Sequence, residues 1–407
     1  MVGLLGARVF LRSFRGRDFR YLWASDALQG WADQMESVVL GWFVLTETDS
    51  PFLVGLFAAL RFTGTIFAPF FGVLADRRDR RRLLMLIRVG FTSLALVIFF
   101  LALLDRLQVW HVFILVGLAG MGRAFDNVVR QALLGDLVQG EGLMNAVALT
   151  RIARDITQMI GPLVGGFMLD NAGLAPTYGL VVVVHLTAVF TSWRLRAIPR
   201  VPTGTAISFL ANLAHTFRYV KRQEVVMALL LMAFLVNLTA FPLNNGLMPV
   251  FARDVLGSGP EGLGILLGAY AVGAFLGSGA MAAVKRMGRP GKFLVLSSVG
   301  WHAGLLVFSA SQWFVPSLGI LVVTGIIQSF TMVSMALLLL EVTDADVRGR
   351  VMGLRSMAVY GLPMGLLVSG ALADSLGAPL ALAINAGLGM VLTALIALSL
   401  RKLWLQT

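Results

Sequence analysis

Stretches of about 20 mostly apolar residues recur from one end of this 407-residue chain to the other, and nothing else in the sequence limits its fold so strongly. About 20 residues of helix cross a ~30 Å hydrocarbon core, and backbone groups in lipid must be satisfied within their own segment. Twelve such stretches can be read, near residues 21–46, 51–75, 83–104, 109–130, 143–169, 176–195, 225–251, 262–284, 292–311, 315–340, 351–373 and 379–399. They are too long and too evenly apolar for barrel strands, and period-two alternation is absent. With 58% apolar residues, 13% charged and a mean hydropathy of +0.84, no single soluble core could hide this surface. The expected fold is all-α and polytopic, with twelve transmembrane helices in two six-helix bundles.

The net charge of +12 would suggest nucleic acid in a soluble protein, but the positions of the charges argue otherwise. With a cytoplasmic N-terminus, 27 of the 33 Lys and Arg residues fall on the inner side. That bias obeys the positive-inside rule and puts both termini in the cytoplasm. The tail Met1–Arg20 leads into a span rich in acids with no small-residue cleavage site, so it reads as retained. The absence of cysteine excludes disulfides and thiolate metal sites. Four scattered histidines, His111, His185, His215 and His302, lack metal spacing, and no nucleotide-binding loop is found. No cofactor is expected, and no nucleophile–base constellation suggests an enzyme.

Charge within the spans carries the functional information. Asp26, Gln29, Asp33 and Glu36 are spaced three, four and three apart. At about 100° per residue they fall within an arc of about 80° on one helix face, which cannot face lipid. Asp33 sits roughly 18 Å into its span, near the midplane, and Arg61 and Arg154 reach similar depth. Ionisable groups there cost several kcal/mol unless paired or hydrated, and they usually line a solute or ion pathway. A carboxylate in such a site changes proton affinity with water access and with a nearby arginine. Asp33, with Glu36 as the alternative and Asp26 alongside, is the expected proton carrier, and Arg61 or Arg154 its partner. Arg151 and Asp155 stand at i, i+4 and can pair within one helix, leaving Arg154 to look elsewhere.

The one long polar connection, Arg194 to Gln223, divides six spans from six. The expected domains are 1–195, a cytoplasmic linker 196–223 with an amphipathic stretch, and 224–407. Phe209, Leu210, Leu213, Phe217 and Val220 recur there at helical spacing, with Arg218, Lys221 and Arg222 alongside. A shift of 204 residues places Ala132, Leu133, Leu134 and Val138 on Ala336, Leu337, Leu338 and Val342. Such an echo suits duplicated halves enclosing a substrate path. The second half offers Asn237, Asn244, Asn245, Gln328 and Asn385 within spans but no midplane charge. These, with Gln29, Arg123 and Asp126, are the candidate substrate-binding residues. Pro242 and Pro249 flank Asn244–Gly246, so span seven is expected to break there.

After span two comes Gly72-Val-Leu-Ala-Asp76-Arg77-Arg78-Asp79-Arg80-Arg81-Arg82, which resembles the loop 2–3 signature of the major facilitator superfamily, with Asp79 where the second glycine usually stands. A degenerate partner, Gly277 followed by Lys285-Arg286-Met287-Gly288-Arg289, occupies the equivalent place in the second half. Gly161-Pro162-Leu-Val-Gly165-Gly166 is similar to the end of the signature of proton-driven exporters. The stretches Leu247–Leu256 and Arg348–Gly353 resemble the branch that includes enterobactin and macrolide efflux proteins. Arg123 is similar to that superfamily's fourth-helix arginine, with Asp126 in place of the usual glutamine-glycine surroundings.

The resemblance implies a monomeric secondary transporter of the bacterial inner membrane, a proton-coupled exporter of amphipathic small molecules working by alternating access. Siderophore export or lipid transport is the alternative. From another class, a sensor or scaffold without transport is the contrasting reading. Asp76, with Gly72, Arg77, Arg80 and Arg81, is implied in gating against the helix beginning near Val351, and Gly161, Pro162, Gly165 and Gly166 in a hinge.

Overall fold

A computed structural model describes residues 12–138, 141–196, 218–284, 288–344 and 347–400. Those residues form helices and turns with no strand. The helices are α1 (Arg17–Thr48), α2 (Pro51–Leu60), α3 (Ala68–Arg77), α4 (Arg80–Leu103), α5 (Val109–Leu137), α6 (Glu141–Ala172) and α7 (Leu174–Trp193). They continue as α8 (Glu224–Thr239), α9 (Pro260–Ala283), α10 (Pro290–Ser309), α11 (Phe314–Val342), α12 (Arg348–Met357), α13 (Gly361–Leu376) and α14 (Ala378–Ser399). Among the described residues nine helices are long and apolar enough to cross a membrane, or ten if the bent pair around α2 and α3 is one span. Helices α1 and α6, with 32 residues each, have more than the required length but carry the buried charges. Lys285–Met287 and most of the amphipathic stretch, Phe209 to Phe217, lie outside the described residues.

The chain divides into two compact units, one of Met1–Phe43 and Leu60–Gly204, the other of Val44–Ala59 and Thr205–Thr407. In the first, α1 runs through the interior: no residue from Tyr21 to Leu45 is exposed. Its polar surface is tied down locally. Ser25 bonds Ser192 Oγ at 2.6 Å and the Ala188 carbonyl at 3.1 Å, and Trp23 donates to the Leu149 carbonyl at 3.0 Å. Gly161 and Gly165 allow α6 to lie directly on α1. A Cβ at Gly161 would meet Gln34 Cβ at 2.5 Å, and one at Gly165 would meet Met35 Cα at 3.0 Å. Pro162, adjacent to this contact, sits inside an otherwise continuous α6.

Two spans depart from the sequence reading. Span two is not a single rod: α2 ends at Leu60, a 3-10 turn covers Thr63–Phe67, and the stretch Pro51–Phe67 meets Phe70–Arg77 at 57°. The turn follows from Gly64, which packs against the α5 backbone at Gly120 and Met121, and from Pro69, which lacks an N–H at the start of α3. Arg61 therefore emerges from a turn, not from mid-helix. Span seven, expected to break at Pro242–Pro249, runs as one candidate span from Glu224 to Val255, but its α-helix ends at Thr239 and a turn at Ala240–Phe241 leads into π-helical turns at Leu243–Leu247 and Phe251–Val255. Widening the helix by one residue per turn accommodates the missing proline donors without ending the span.

In the second unit a buried cluster around Leu229, Met232, Leu294, Met335, Leu338 and Val351 forms the core. Close backbone approach is again made by glycine: a Cβ at Gly277 on α9 would meet the Ile326 carbonyl of α11 at 2.6 Å. The segment Val44–Ala59 belongs to this unit. Asp49, with φ of 51°, turns the chain, and Arg253 donates to Asp49 Oδ1 at 2.7 Å and to the Leu45 carbonyl at 2.9 Å.

Candidate functional site

The polar face of α1 meets two groups of charges in the first unit. Toward its C-terminal end, Arg123 on α5 pairs with both expected proton carriers, Nε to Asp33 Oδ1 at 3.2 Å and Nη2 to Glu36 Oε2 at 3.0 Å. Gln29 Nε2 also donates to Asp33 Oδ1, at 3.2 Å. His185 on α7, buried against Phe91, links the two ends of this set. Its Nδ1 is 3.3 Å from Gln29 Oε1 and its Nε2 is 3.6 Å from Glu36 Oε1. Gln29, Asp33 and Glu36 stand about one helical turn apart along α1, as their four- and three-residue spacing dictates.

The partner expected for Asp33 was Arg61 or Arg154; the structure gives that position to Arg123. Arg61 reaches the same region from the turn after α2, but its guanidinium donates to Ser37 Oγ and, at 3.2 Å, to the Asp33 backbone carbonyl. The break in span two swings Arg61 onto α1's backbone, and Arg123, projecting from an unbroken helix, takes the carboxylates.

Toward the start of α1 stands a second group, built around Arg88 of α4. Its side chain has no exposed surface. Nη2 lies 3.0 Å from Asp26 Oδ1 and Nη1 lies 3.3 Å from Asp126 Oδ1. Arg130 adds a longer contact to Asp26 Oδ2 at 3.7 Å and donates to Asn127 at 2.8 Å. Arg88 and Arg130 are among the 27 basic residues that the topology reading places on the inner side. The signal for Arg88 is its place between Leu84, Ile87 and Phe91, all buried on the face of α4 turned to the core. A cation on that face must have carboxylate partners, and Asp26 and Asp126 were the acids lacking one. Asp26 thus belongs to a different network from Asp33 and Glu36.

A polar cavity of about 250 Å³ adjoins both groups. It is lined by the acids Asp26, Asp33 and Asp126, the arginines Arg88, Arg130 and Arg154, and neutral groups including Gln29, Gln34, Thr157 and Gln158. On α6, Arg151 pairs with Asp155 at 3.1 Å, as the i, i+4 spacing anticipates. Arg154 makes no ion pair within 4 Å to a described residue.

The loop between α3 and α4 is organised by its own charges. Asp79 caps α4, accepting from the backbone N–H of Arg81 at 2.9 Å and of Arg82 at 3.2 Å. A glycine there would leave those orphan donors unmet, which explains how this departure from the signature is accommodated. Arg80 bridges Asp76 at 2.9 Å and Asp136 at 2.7 Å, and Arg81 donates to the Trp193 carbonyl at 2.8 Å. Arg77 and Asp76 are exposed, and a Cβ at Gly72 would meet nothing within 4 Å. In the second unit, Asn237 and Asn245 turn their amides onto the carbonyls of Ala233 and Phe241 in their own helix, at 2.8 and 3.0 Å. Asn244 Oδ1 and Gln328 Oε1 are buried with no hydrogen-bond partner among the described residues.

A family model described as transmembrane secretion effector matches residues 10–404. The enterobactin exporter EntS of Salmonella typhi is 26% identical over 332 residues, which are 80% of this chain and 78% of that protein. The EntS of Shigella boydii serotype 4 is 27% identical over 366 residues, 87% of this chain and 86% of that protein. A solved bacterial homolog of the human lysosomal transporter Spinster, in an inward-facing and unoccupied conformation, matches with a TM-score of 0.76 at 13% identity, covering 96% of this chain and 98% of that one. At that identity the likeness shows the fold alone. An enclosed acidic helix, apolar spans along the whole chain and a family match over nearly its full length lead to one conclusion: the chain is an integral membrane transporter, not an enzyme, and belongs to the transmembrane secretion effector family of the major facilitator superfamily.

Proposed function

We propose that the protein is a proton-coupled exporter of amphipathic small molecules in a bacterial inner membrane. In this reading α1 and α6 join the ten apolar spans to make twelve, arranged as six-helix bundles over 1–195 and 224–407 with both termini cytoplasmic. The observation that carries it is the single guanidinium of Arg123 shared by Asp33 and Glu36, on a stretch of α1 with no exposed residue, beside a polar cavity. Protonating either acid removes part of the attraction between α1 and α5, so water access from one side or the other changes how firmly the two helices are held. Alternating access then follows from rocking of the halves. Asp76, Arg80 and the glycines of α6 serve the gating motion, and Asn244 and Gln328, with unmet buried acceptors, are offered to cargo.

The family excludes a sensor or scaffold without transport as the leading reading. Siderophore export remains a second reading, favoured by the relatives named as enterobactin exporters. With Arg61 already committed to Ser37 and the α1 backbone, Arg154 is the arginine left to meet such cargo. The test is uptake of a chemically varied panel, siderophores included, into inverted proteoliposomes with an imposed pH gradient. Gradient-driven flux of at least one amphipathic compound is expected. Flux of the same compounds that is indifferent to the gradient rules out proton coupling.

A further inference from the structure

Counting charge around the cavity leaves one cation without a counterion among the described residues. Asp33 and Glu36 are balanced by Arg123 and Arg61, which all lie within one hydrogen-bonded group. Asp26 and Asp126 are balanced by Arg88 and Arg130. Arg151 is matched by Asp155. Arg154 remains. The carboxylates within its electrostatic range, Asp26 and Asp155, are each held by another arginine. A second observation points the same way: Arg88 lines the same cavity, and its Nε is buried without a hydrogen-bond acceptor among the described residues. An unbalanced guanidinium and an unmet arginine donor at membrane depth call for an acceptor-rich anion.

Resting on the transporter reading above, we propose that this cavity seats an anionic group of the cargo, a carboxylate, sulfonate or phosphate, with Arg154 as its counter-charge. Gln158, Gln34 and Thr150 line the same space and add neutral polar groups to it. At about 250 Å³ the cavity is smaller than the ~300–1,000 Å³ typical of whole drug-sized sites, so it takes one charged end and leaves the apolar body elsewhere. The three acids that also line it explain how a bulk anion is kept out. Each acid is bound to an arginine but still repels an ion that brings no apolar surface to offset its desolvation.

The native absence of cysteine allows a test that needs neither a known cargo nor a pH gradient. Gln158 is exposed and lines the cavity, about one helical turn from Arg154. In purified full-length Gln158→Cys, the reaction rates with 2-sulfonatoethyl and 2-(trimethylammonium)ethyl methanethiosulfonate are compared, each normalised to a free thiol. The anionic reagent should be favoured, and adding Arg154→Gln should shift the ratio toward the cation by roughly tenfold, as expected for one unit charge about 6 Å away in a partly hydrated site. Arg154→Lys should retain most of the preference. Decanoate should slow labelling, whereas methyl decanoate and inorganic phosphate should not. A ratio unchanged by Arg154→Gln overturns the proposal. Equal protection by decanoate and phosphate overturns the cargo assignment by making this a generic anion site. Because labelling reads the cavity alone, charge preference without gradient-driven flux would sink proton coupling and leave the anion seat standing.

Discussion

Removing the Arg88 guanidinium should be among the most damaging single changes in the first unit. The Arg88 side chain is wholly buried, 3.0 Å from Asp26 and 3.3 Å from Asp126. Among the described residues, Arg88→Met leaves Asp26 the distant Arg130, at 3.7 Å, and leaves Asp126 no cation within 4 Å. Breaking a buried pair by deleting one partner costs about 3–5 kcal/mol, because a charge is left uncompensated. If the first unit unfolds cooperatively, that corresponds to a fall in Tm on the order of 10 °C. Replacing Asp126 as well, in Arg88→Met with Asp126→Asn, leaves Asp26 facing Arg130 and should restore most of the loss. The assay is thermal unfolding of the purified protein in one detergent, followed by intrinsic tryptophan fluorescence and by loss of the monodisperse peak. Lowering the pH should narrow the gap between Arg88→Met and wild type, since a neutral carboxyl no longer needs a cation. Equal destabilisation of the single and the double variant would mean that Arg88 acts through packing, and the ion-network account would be wrong.

Asp79→Ala should lower stability by about 1 kcal/mol through loss of the α4 cap, and Asp79→Asn or Asp79→Ser should recover most of it; thermal unfolding of the three variants measures this. Gly277→Leu forces α9 away from α11, where a Cβ would already meet the Ile326 carbonyl at 2.6 Å, and should abolish accumulation of folded protein in the membrane. Gly279→Leu on the same helix, with open space around it, should accumulate normally; fluorescence-detected size exclusion separates the two. His185→Gln keeps a hydrogen bond to Gln29 but removes a titratable neighbour of Glu36, and should change the pH profile of flux more than its maximum. A parallel fall at every pH would assign His185 to packing.

The membrane architecture is legible in the sequence because lipid punishes any unsatisfied backbone group, so length and hydrophobicity suffice to find the spans. The three- and four-residue spacing from Asp26 to Glu36 likewise identifies α1 as an enclosed helix, since helical periodicity is a one-dimensional property of the chain. Which arginine meets which acid is not one-dimensional. Arg61 and Arg123 stand at similar depth, and only the turn forced by Gly64 and Pro69 decides that Arg61 meets backbone while Arg123 meets Asp33 and Glu36. Arg88 was hidden by its position near the basic run that follows Asp76, where a topological reading absorbs it. Asp79 reads as a lost glycine in the loop signature, yet in three dimensions it is a helix cap. Proline in span seven carries two possible outcomes, a break or a widened π turn, and the surrounding packing selects the second.

The most direct measurement is pH-gradient-driven flux in proteoliposomes reconstituted with wild type, Asp33→Asn and Glu36→Gln, alongside cargo exchange in the same vesicles with no gradient. Gradient-driven flux should collapse in at least one of the two variants while exchange persists, because neutralising an acid that shares Arg123 removes the proton's effect without removing the path. Gradient-driven flux at the wild-type level in both variants would contradict the account.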